Sequence, residues 1–186
     1  ALNAIEAGIG MVHQHFMLIP RLSVAENIVL GQEPKQHIRL DRETAYDTVQ
    51  KLSDQFGFHL QAHEKVSKIS LSAMQKVEIA KALYRKADIL IMDEPTAVLT
   101  PQEIDELGVV LKQLKQLGKS IIIITHKLKE VMAFSDRITV LRAGQVVDTV
   151  ETEQTTPAKI TELMVGHDVH LERPRNREKN EQTVLE

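Results

Sequence analysis

The chain has 186 residues, 42% hydrophobic and 26% charged, with 23 basic against 26 acidic side chains and a formal net charge of −3. That length suits one domain of ordinary size with a sizeable buried core. The charge balance offers no basic surface for nucleic acid, and two Tyr, four Phe and no Trp offer no base-stacking platform. With no Cys there are neither disulfides nor thiolate metal sites, which suits a reducing compartment.

Ala1 to Gly8 has neither the basic start nor the long apolar centre of a signal peptide, and no apolar run approaches membrane-spanning length. It lacks Met and reads as the end of a helix already under way, so the chain is expected to be a fragment. Ile9 to Gln14 reads as a short buried strand. Ser23-Val-Ala-Glu26 is a capping box that opens a short helix closed by Gly31. Gln32 to Leu40 is polar and reads as loop. Asp41 caps a long helix with Ala45, Val49, Leu52 and Phe56 on one stripe, stopped by Gly57. A further helix starts near Ser72 and runs to about Arg85, with Val77, Ala80 and Tyr84 on one face.

Ile89 to Met92 is apolar without alternation, as in a parallel strand covered on both sides. Thr100-Pro-Gln-Glu103 combines a Thr cap, Pro at the first helical position and Glu at the third. The helix it opens carries Ile104, Leu107, Leu111, Leu114 and Leu117 on one face and ends at Gly118. Ser120 to Thr125 reads as the next buried strand and Lys127 to Ala133 as a helix. Arg137–Arg142 and Gln145–Val150 flank the two-residue turn Ala143-Gly144, predicting a hairpin, and Thr156-Pro157 opens a last helix closed by Gly166. The alternation of strands and helices predicts an α/β fold with parallel core strands. Glu172 to Glu186 is charged and aperiodic and reads as a linker or tail.

Asp93-Glu94 ends a buried strand, and in an open parallel sheet that end is where ligands bind. One carboxylate there suits Mg²⁺; the next suits deprotonation of a water attacking a phosphoryl group. An Asp-Glu pair alone is as readily a solvated strand end. The apolar strand before it, and the Pro-Thr and capped helix after it, favour the functional reading. His126, at the tip of the following strand, has the chemistry to donate to a terminal phosphate; alone it reads as an ordinary surface or core His. The segment Ser70-Leu71-Ser72-Ala73 opens a helix whose exposed N–H groups favour an anion, or it is plain capping. Gln14, between His13 and His15, follows a buried strand and is by itself only a polar loop residue.

In order, Gln14, the Ser70 segment, Asp93-Glu94-Pro95-Thr96 and His126 resemble the ATPase domains of ABC transporters over nearly the whole chain to about Val169. Met11 to Leu18, Val24 to Gly31, Met92 to Glu103 and Ile124 to Glu130 are more narrowly similar to the duplicated ATPase subunit of bacterial importers for simple sugars and nucleosides.

The resemblance implies a partial P-loop NTPase of ABC type, incomplete over 1–170, with a helical subdomain at about 20–85, a C-terminal β-hairpin and a linker or tail over 171–186. It implies ATP and Mg²⁺, with Asp93 serving the metal and Glu94 as catalytic base. It makes His126 the switch histidine and Gln14 the Q-loop glutamine, which contacts Mg²⁺ and the attacking water and senses the permease. Ile69 to Ala73 takes the signature position, with Ser70, Leu71, Ser72 and Ala73 toward the γ-phosphate held by an opposing domain. Ala97 to Thr100 sits at the D-loop. The implied partners are transmembrane permease subunits docking near Phe16, Met17 and Leu18, a second ATPase domain in the same polypeptide and, indirectly, a solute-binding protein. The implied location is the cytoplasmic face of the plasma membrane. The solute is chosen by the permease and its binding protein.

Three departures stand out. Leu71, Ser72 and Ala73 replace the Gly-Gly-Gln of the usual signature, and Thr100 replaces the common D-loop Asp. No Gly-x-x-x-x-Gly-Lys followed by Ser or Thr is present. Gly118-Lys119-Ser120 imitates its end, but it runs from helix into strand and position 113 is Gln. The phosphate cradle is therefore expected before Ala1, and the chain alone is expected neither to bind ATP tightly nor to hydrolyse it. His59 with His63, and His167 with His170, have metal-like spacing but neither a Cys nor a clear carboxylate partner nearby. No Gly-x-Ser-x-Gly elbow supports a hydrolase triad. Two other classes remain: a soluble ABC-type ATPase, and a non-catalytic regulatory module, for which the altered signature argues.

Overall fold

The computed structural model describes residues 2–36 and 39–166; His167, His170 and the tail from Leu171 lie outside the described residues. The described residues divide between Ser135 and Asp136 into two compact units.

In the first unit α1 (Leu2–Glu6) leads into β1 (Ile9–Val12). There follow α2 (Val24–Val29), two short strands β2 (Lys35–Gln36) and β3 (Arg39–Leu40), α3 (Arg42–Gln55), a 3-10 turn (Val66–Lys68) and α4 (Leu71–Tyr84). Then come β4 (Ile89–Asp93), α5 (Pro101–Gln116), β5 (Ser120–Ile124) and α6 (Leu128–Phe134). The core sheet is parallel, in the order β1-β4-β5, so the whole segment carrying α2, α3 and α4 is inserted between two neighbouring strands. These helices pack on one another, and α4 also packs on β1.

Local chemistry starts most of the helices. Ser23 and Glu26 make the reciprocal capping box expected at α2, at 3.1 and 2.9 Å. Thr100 and Glu103 repeat it at α5, behind Pro101. The cap of α4 is Ser70, whose Oγ accepts from the Ala73 N–H at 3.1 Å, so α4 begins one residue before Ser72. A Ser two residues later in the first turn is compatible with either start, and only the backbone distinguishes them. The polar Gln32–Leu40 segment, read from sequence as loop, contains the antiparallel pair β2–β3; strands of two residues leave no alternation to detect.

Val12, Leu90 and Met92 are fully buried, whereas Met11, Ile122 and Ile124 keep 45%, 51% and 50% of their surface exposed. One face of the sheet is thus packed; on the other, β4 is half-buried at Ile89 and Ile91, whereas β1 and β5, read from sequence as buried strands, expose Met11, Ile122 and Ile124. Continuous apolar runs do not encode which face has a neighbour. On the packed face α4 and the turn after it come so close that a Cβ on Gly10 would lie 2.8 Å from the Ala82 Cβ and 3.0 Å from the Ala87 Cβ. The apolar stripe Ala45, Val49, Leu52 and Phe56 of α3 and its C-cap faces the same core, with Leu52 partly buried.

The second unit is the hairpin β6 (Arg137–Arg142) and β7 (Gln145–Glu151), followed by a 3-10 turn (Thr152–Gln154) and α7 (Pro157–Val165). Ala143 and Gly144 both have positive φ, +50° and +76°, the requirement of a two-residue type I′ connection. The register passes from Val140 opposite Asp148 to Leu141 opposite Val146, leaving Val147 as a bulge. Ile138, Val140 and Ile160 are buried, and Arg142 donates to the Leu163 carbonyl at the end of α7 at 3.1 Å.

Asp41 caps α3 by accepting from both the N–H and the hydroxyl of Thr44, at 3.1 and 2.7 Å. The Thr44 hydroxyl bond, then the backbone bond, hold its carboxyl below the ordinary value of 3.8. A carboxyl depressed in the folded state adds stability that is complete above its unfolded pKa and disappears as pH falls through the lowered one. Asp41→Asn, which keeps a capping oxygen but does not titrate, is expected to lose less stability than the wild type below about pH 4. Urea unfolding midpoints measured across that range check it.

Candidate functional site

Parallel register fixes what meets at the sheet's C-terminal edge. Val12 lies opposite Met92, Met92 opposite Ile123, and Asp93 opposite Ile124. The residues that emerge beyond this line are His13 and Gln14 from β1, Glu94 from β4, and Thr125 and His126 from β5. Gln14, Asp93, Glu94 and His126 are thus carried to one edge by three neighbouring strands, the position where parallel sheets bind ligands.

Glu94 is the best-defined member. Its N–H donates to the Ile124 carbonyl at 2.9 Å, extending the β4–β5 ladder by one residue. Its Oε1 lies 2.7 Å from His126 Nδ1, and its Oε2 accepts from the Thr125 hydroxyl at 3.4 Å. The carboxylate is 17% exposed and the imidazole 74%, so the pair presents an open ring backed by a sheltered carboxylate. Glu94 has φ +45°, a left-handed conformation that costs an L-residue on the order of 1–2 kcal/mol and persists only where the surroundings impose it. The Asp93 carboxylate is half-buried, and among the described residues no side chain bonds it. Among the described residues no three His, Cys, Asp or Glu side chains gather as a metal cage. His59 and His63 form no such cluster; the His63 ring instead lies against Tyr46, centroids 3.8 Å apart and planes tilted by 34°.

Behind Glu94 the chain turns through Pro95 and Thr96. Thr96 is buried and donates its hydroxyl to Glu130 of α6, also buried, while Lys127 Nζ donates to the Thr96 carbonyl at 2.9 Å. At the start of α4, Ser70 and Leu71 are exposed and Ala73 half-buried, but Ser72 is 7% exposed and turned into the helical layer. Among the described residues no hydrogen bond or ion pair joins this segment to Glu94 or His126. Gln14 is exposed. The loop after it carries exposed Met17 and Ile19 on a fixed backbone: the Met17 N–H donates to buried Glu78 at 2.6 Å, and Ile19 exchanges bonds with the side chain of buried Asn27 at 2.7 and 3.1 Å.

A profile of the ABC transporter family matches residues 1–97. The chain belongs to the ABC transporter family. It is 52% identical over 167 residues to the nucleoside import ATP-binding protein NupA of Lactococcus lactis subsp. cremoris, covering 90% of this chain and 33% of that one. It is 49% identical to the guanosine import ATP-binding protein NupO of Bacillus subtilis, with the same coverage. To the glucose import ATP-binding protein TsgD13 of Haloferax volcanii it is 47% identical, over 90% of this chain and 36% of that one. The chain therefore spans about a third of the length of these curated relatives. Among solved structures, cbiO1 of Clostridium perfringens, part of the ABC transporter complex cbiONQ, superposes with a TM-score of 0.67 at 26% identity, over 91% of this chain and 66% of that one. MJ1267, an ATP-binding cassette of an ABC transporter in its ADP conformation, superposes at 0.72 and 23% identity over 89% and 71%, a likeness of fold.

In this ABC chain four of the sequence-predicted site residues, Gln14, Asp93, Glu94 and His126, share one sheet edge. The Ser70–Ala73 segment stands on a separate element. The sequence reading gave no role to Thr125, Thr96, Lys127 and Glu130 around Glu94, or to Asn27 and Glu78 beneath the loop after Gln14. Glu78 had a usable signal: it is a lone carboxylate between Val77 and Ile79 in a helix with apolar residues on all sides, which calls for a partner.

Asn27 also donates to the Ser23 carbonyl at 3.0 Å, so truncation would strand several polar groups. Asn27→Ala is expected to cost about 1–3 kcal/mol of stability and to speed hydrogen exchange at the Ile19 amide, both readable from denaturant titration and amide exchange.

Proposed function

We propose that this chain carries the nucleotide-hydrolysing site of an ABC importer subunit that energises uptake of a sugar or nucleoside at the cytoplasmic face of the plasma membrane. The observation that carries the proposal is the 2.7 Å Glu94–His126 pair at the C-terminal edge of a parallel sheet, in a chain of this family. The names of the relatives, which import nucleosides, guanosine and glucose, support the solute class. In this reading a permease supplies the membrane path; among the described residues no helix is long and apolar enough to cross a bilayer.

In this reading Glu94 takes the proton of the water that attacks the γ-phosphate. Its carboxylate is sheltered but not sealed, and its Oε1 is held by His126, whose exposed ring is free to meet the transferred phosphoryl group. The half-buried Asp93 carboxylate, with no side-chain partner among the described residues, and the Gln14 carboxamide are the groups for Mg²⁺. One carboxylate and a carboxamide suit an ion that keeps waters and phosphate oxygens as its other ligands, and do not suit an all-protein cage. The ion supplies neutralisation of charge on the β- and γ-phosphates.

Ser70, Leu71, Ser72 and Ala73 are assigned to the γ-phosphate of ATP held by a facing ATPase domain. Exposure of Ser70 and Leu71 at the cap of α4 supports this for those two residues, while the buried side chain of Ser72 leaves only its backbone N–H to offer. The loop Phe16–Leu18 is assigned to a permease subunit, supported by the exposed Met17 side chain on a pinned backbone. A solute-binding protein acts through that permease. Residues 1–170 form the ATPase domain and 171–186 a linker.

A general base contributes about 10²- to 10⁴-fold to rate. Glu94→Gln is therefore expected to lower ATP turnover by roughly that factor while ATP still binds. The measurement is made on the protein expressed with any coding sequence that flanks these residues, with the bare 186-residue chain as an inactive control. Turnover no greater than background in both the wild type and Glu94→Gln would favour the non-catalytic regulatory reading instead.

A further inference from the structure

The cluster behind Glu94 is more than a filler of space. Thr96 and Glu130 are 1% and 6% exposed, and Lys127, between them and solvent, places Nζ 2.9 Å from the Thr96 carbonyl, 3.1 Å from the Thr96 hydroxyl and 3.3 Å from Glu130 Oε1. The Thr96 hydroxyl donates in turn to Glu130 Oε2 at 2.5 Å. Each of the three N–H groups of Lys127 thereby has a partner, and both Glu130 oxygens are bonded. Buried ions are costly to keep, and an apolar set of similar volume would dock α6 as well or better. What the ionic set provides is directionality.

Two segments distant in sequence are joined by it, and both lead to the site. Thr96 lies two residues beyond Glu94, in a turn closed by Ala97 N–H to the Glu94 carbonyl at 3.2 Å and Leu99 N–H to the Thr96 carbonyl at 3.3 Å. Lys127 immediately follows His126, and its own N–H donates to the Thr125 hydroxyl at 3.1 Å. Thr125 and His126 hold the Glu94 carboxylate in front; Lys127 and Glu130 hold the Glu94 turn from behind. Glu94 itself sits at φ +45°, which an unrestrained chain would relax.

We infer that Lys127, Glu130 and Thr96 are positioning residues, a clamp that locks the turn after β4 to the start of α6 so that Glu94 and His126 move as one unit. The inference rests on the reading of Glu94 as the hydrolytic base. Hydrolysis is sensitive to displacement of about 1 Å in such a group, so loosening the clamp acts on turnover and leaves nucleotide affinity alone.

The test compares isosteric loss with conservative retention, in the protein expressed with any coding sequence that flanks these residues. Thr96→Val removes the hydroxyl at constant shape, and Thr96→Ser keeps it; Lys127→Met and Lys127→Arg form a second pair should the first not fold. Thr96→Val and Lys127→Met are expected to lower kcat by about tenfold or more with KM for ATP within about twofold, while Thr96→Ser and Lys127→Arg stay within about threefold of the wild type. Amide exchange at Ala97 and Leu99 should quicken in Thr96→Val and not in Thr96→Ser. A wild-type kcat in Thr96→Val, or equal losses in Val and Ser variants that track the folded fraction, would overturn the clamp. Glu94→Gln measured alongside separates the two ideas. Turnover unaffected by it overturns the reading of Glu94, whereas turnover abolished by it but normal in Thr96→Val overturns the clamp alone.

Discussion

Parallel pairing of β4 between β1 and β5 is the constraint from which the rest of the first unit follows. A parallel pair cannot be joined by a tight turn, so each strand must be followed by a crossover long enough to return the chain to the same end of the sheet. Between β4 and β5 that crossover is α5; between β1 and β4 it is the whole segment bearing α2, α3 and α4. Because the three strands of this sheet run the same way, all three end at the same edge. Gln14, Asp93, Glu94 and His126, up to 112 positions apart in sequence, become neighbours by register and not by any attraction among themselves.

At that edge the chain leaves the ladder in an unfavourable way. Glu94 adopts a left-handed conformation while its N–H still extends the pairing to Ile124. A conformation of this kind is maintained only by surroundings that over-determine it. The surroundings here are all polar: Thr125 and His126 on the carboxylate, and Lys127 and Glu130 on the turn that follows. The same residues that give the site its chemistry therefore sit on a frame of directional bonds, whereas the packed face of the sheet rests on apolar contact with α4 and α5.

The helical layer repeats this division of labour. Val24, Ala25, Ile28 and Val29 of α2 and Val77, Ile79 and Ala80 of α4 supply the apolar core. Two buried polar side chains, Asn27 and Glu78, face the loop after Gln14 and fix its backbone, which leaves Met17 and Ile19 exposed on an ordered support. An exposed apolar loop is normally a weakness, but one whose N–H groups are already committed to buried acceptors is shaped in advance for contact.

Signals confined to a few adjacent residues were legible directly. The Thr100-Pro-x-Glu start of α5, the capping box of α2, the Ala143-Gly144 turn and the Gly166 stop of α7 all appear where their local chemistry put them. So did the order of strands and helices, and the placement of Asp93 and Glu94 at a strand end, because these depend on short apolar runs and the residues bounding them. The two-residue strands β2 and β3 carried no period to read, and Ser70 and Ser72 were equivalent as caps until the backbone chose between them. Which face of the sheet is packed, which residues gather round Glu94, and which polar side chains pin the loop after Gln14 were decided only by tertiary structure. Each depends on contacts between segments distant along the chain, and a sequence specifies such contacts only through the fold as a whole.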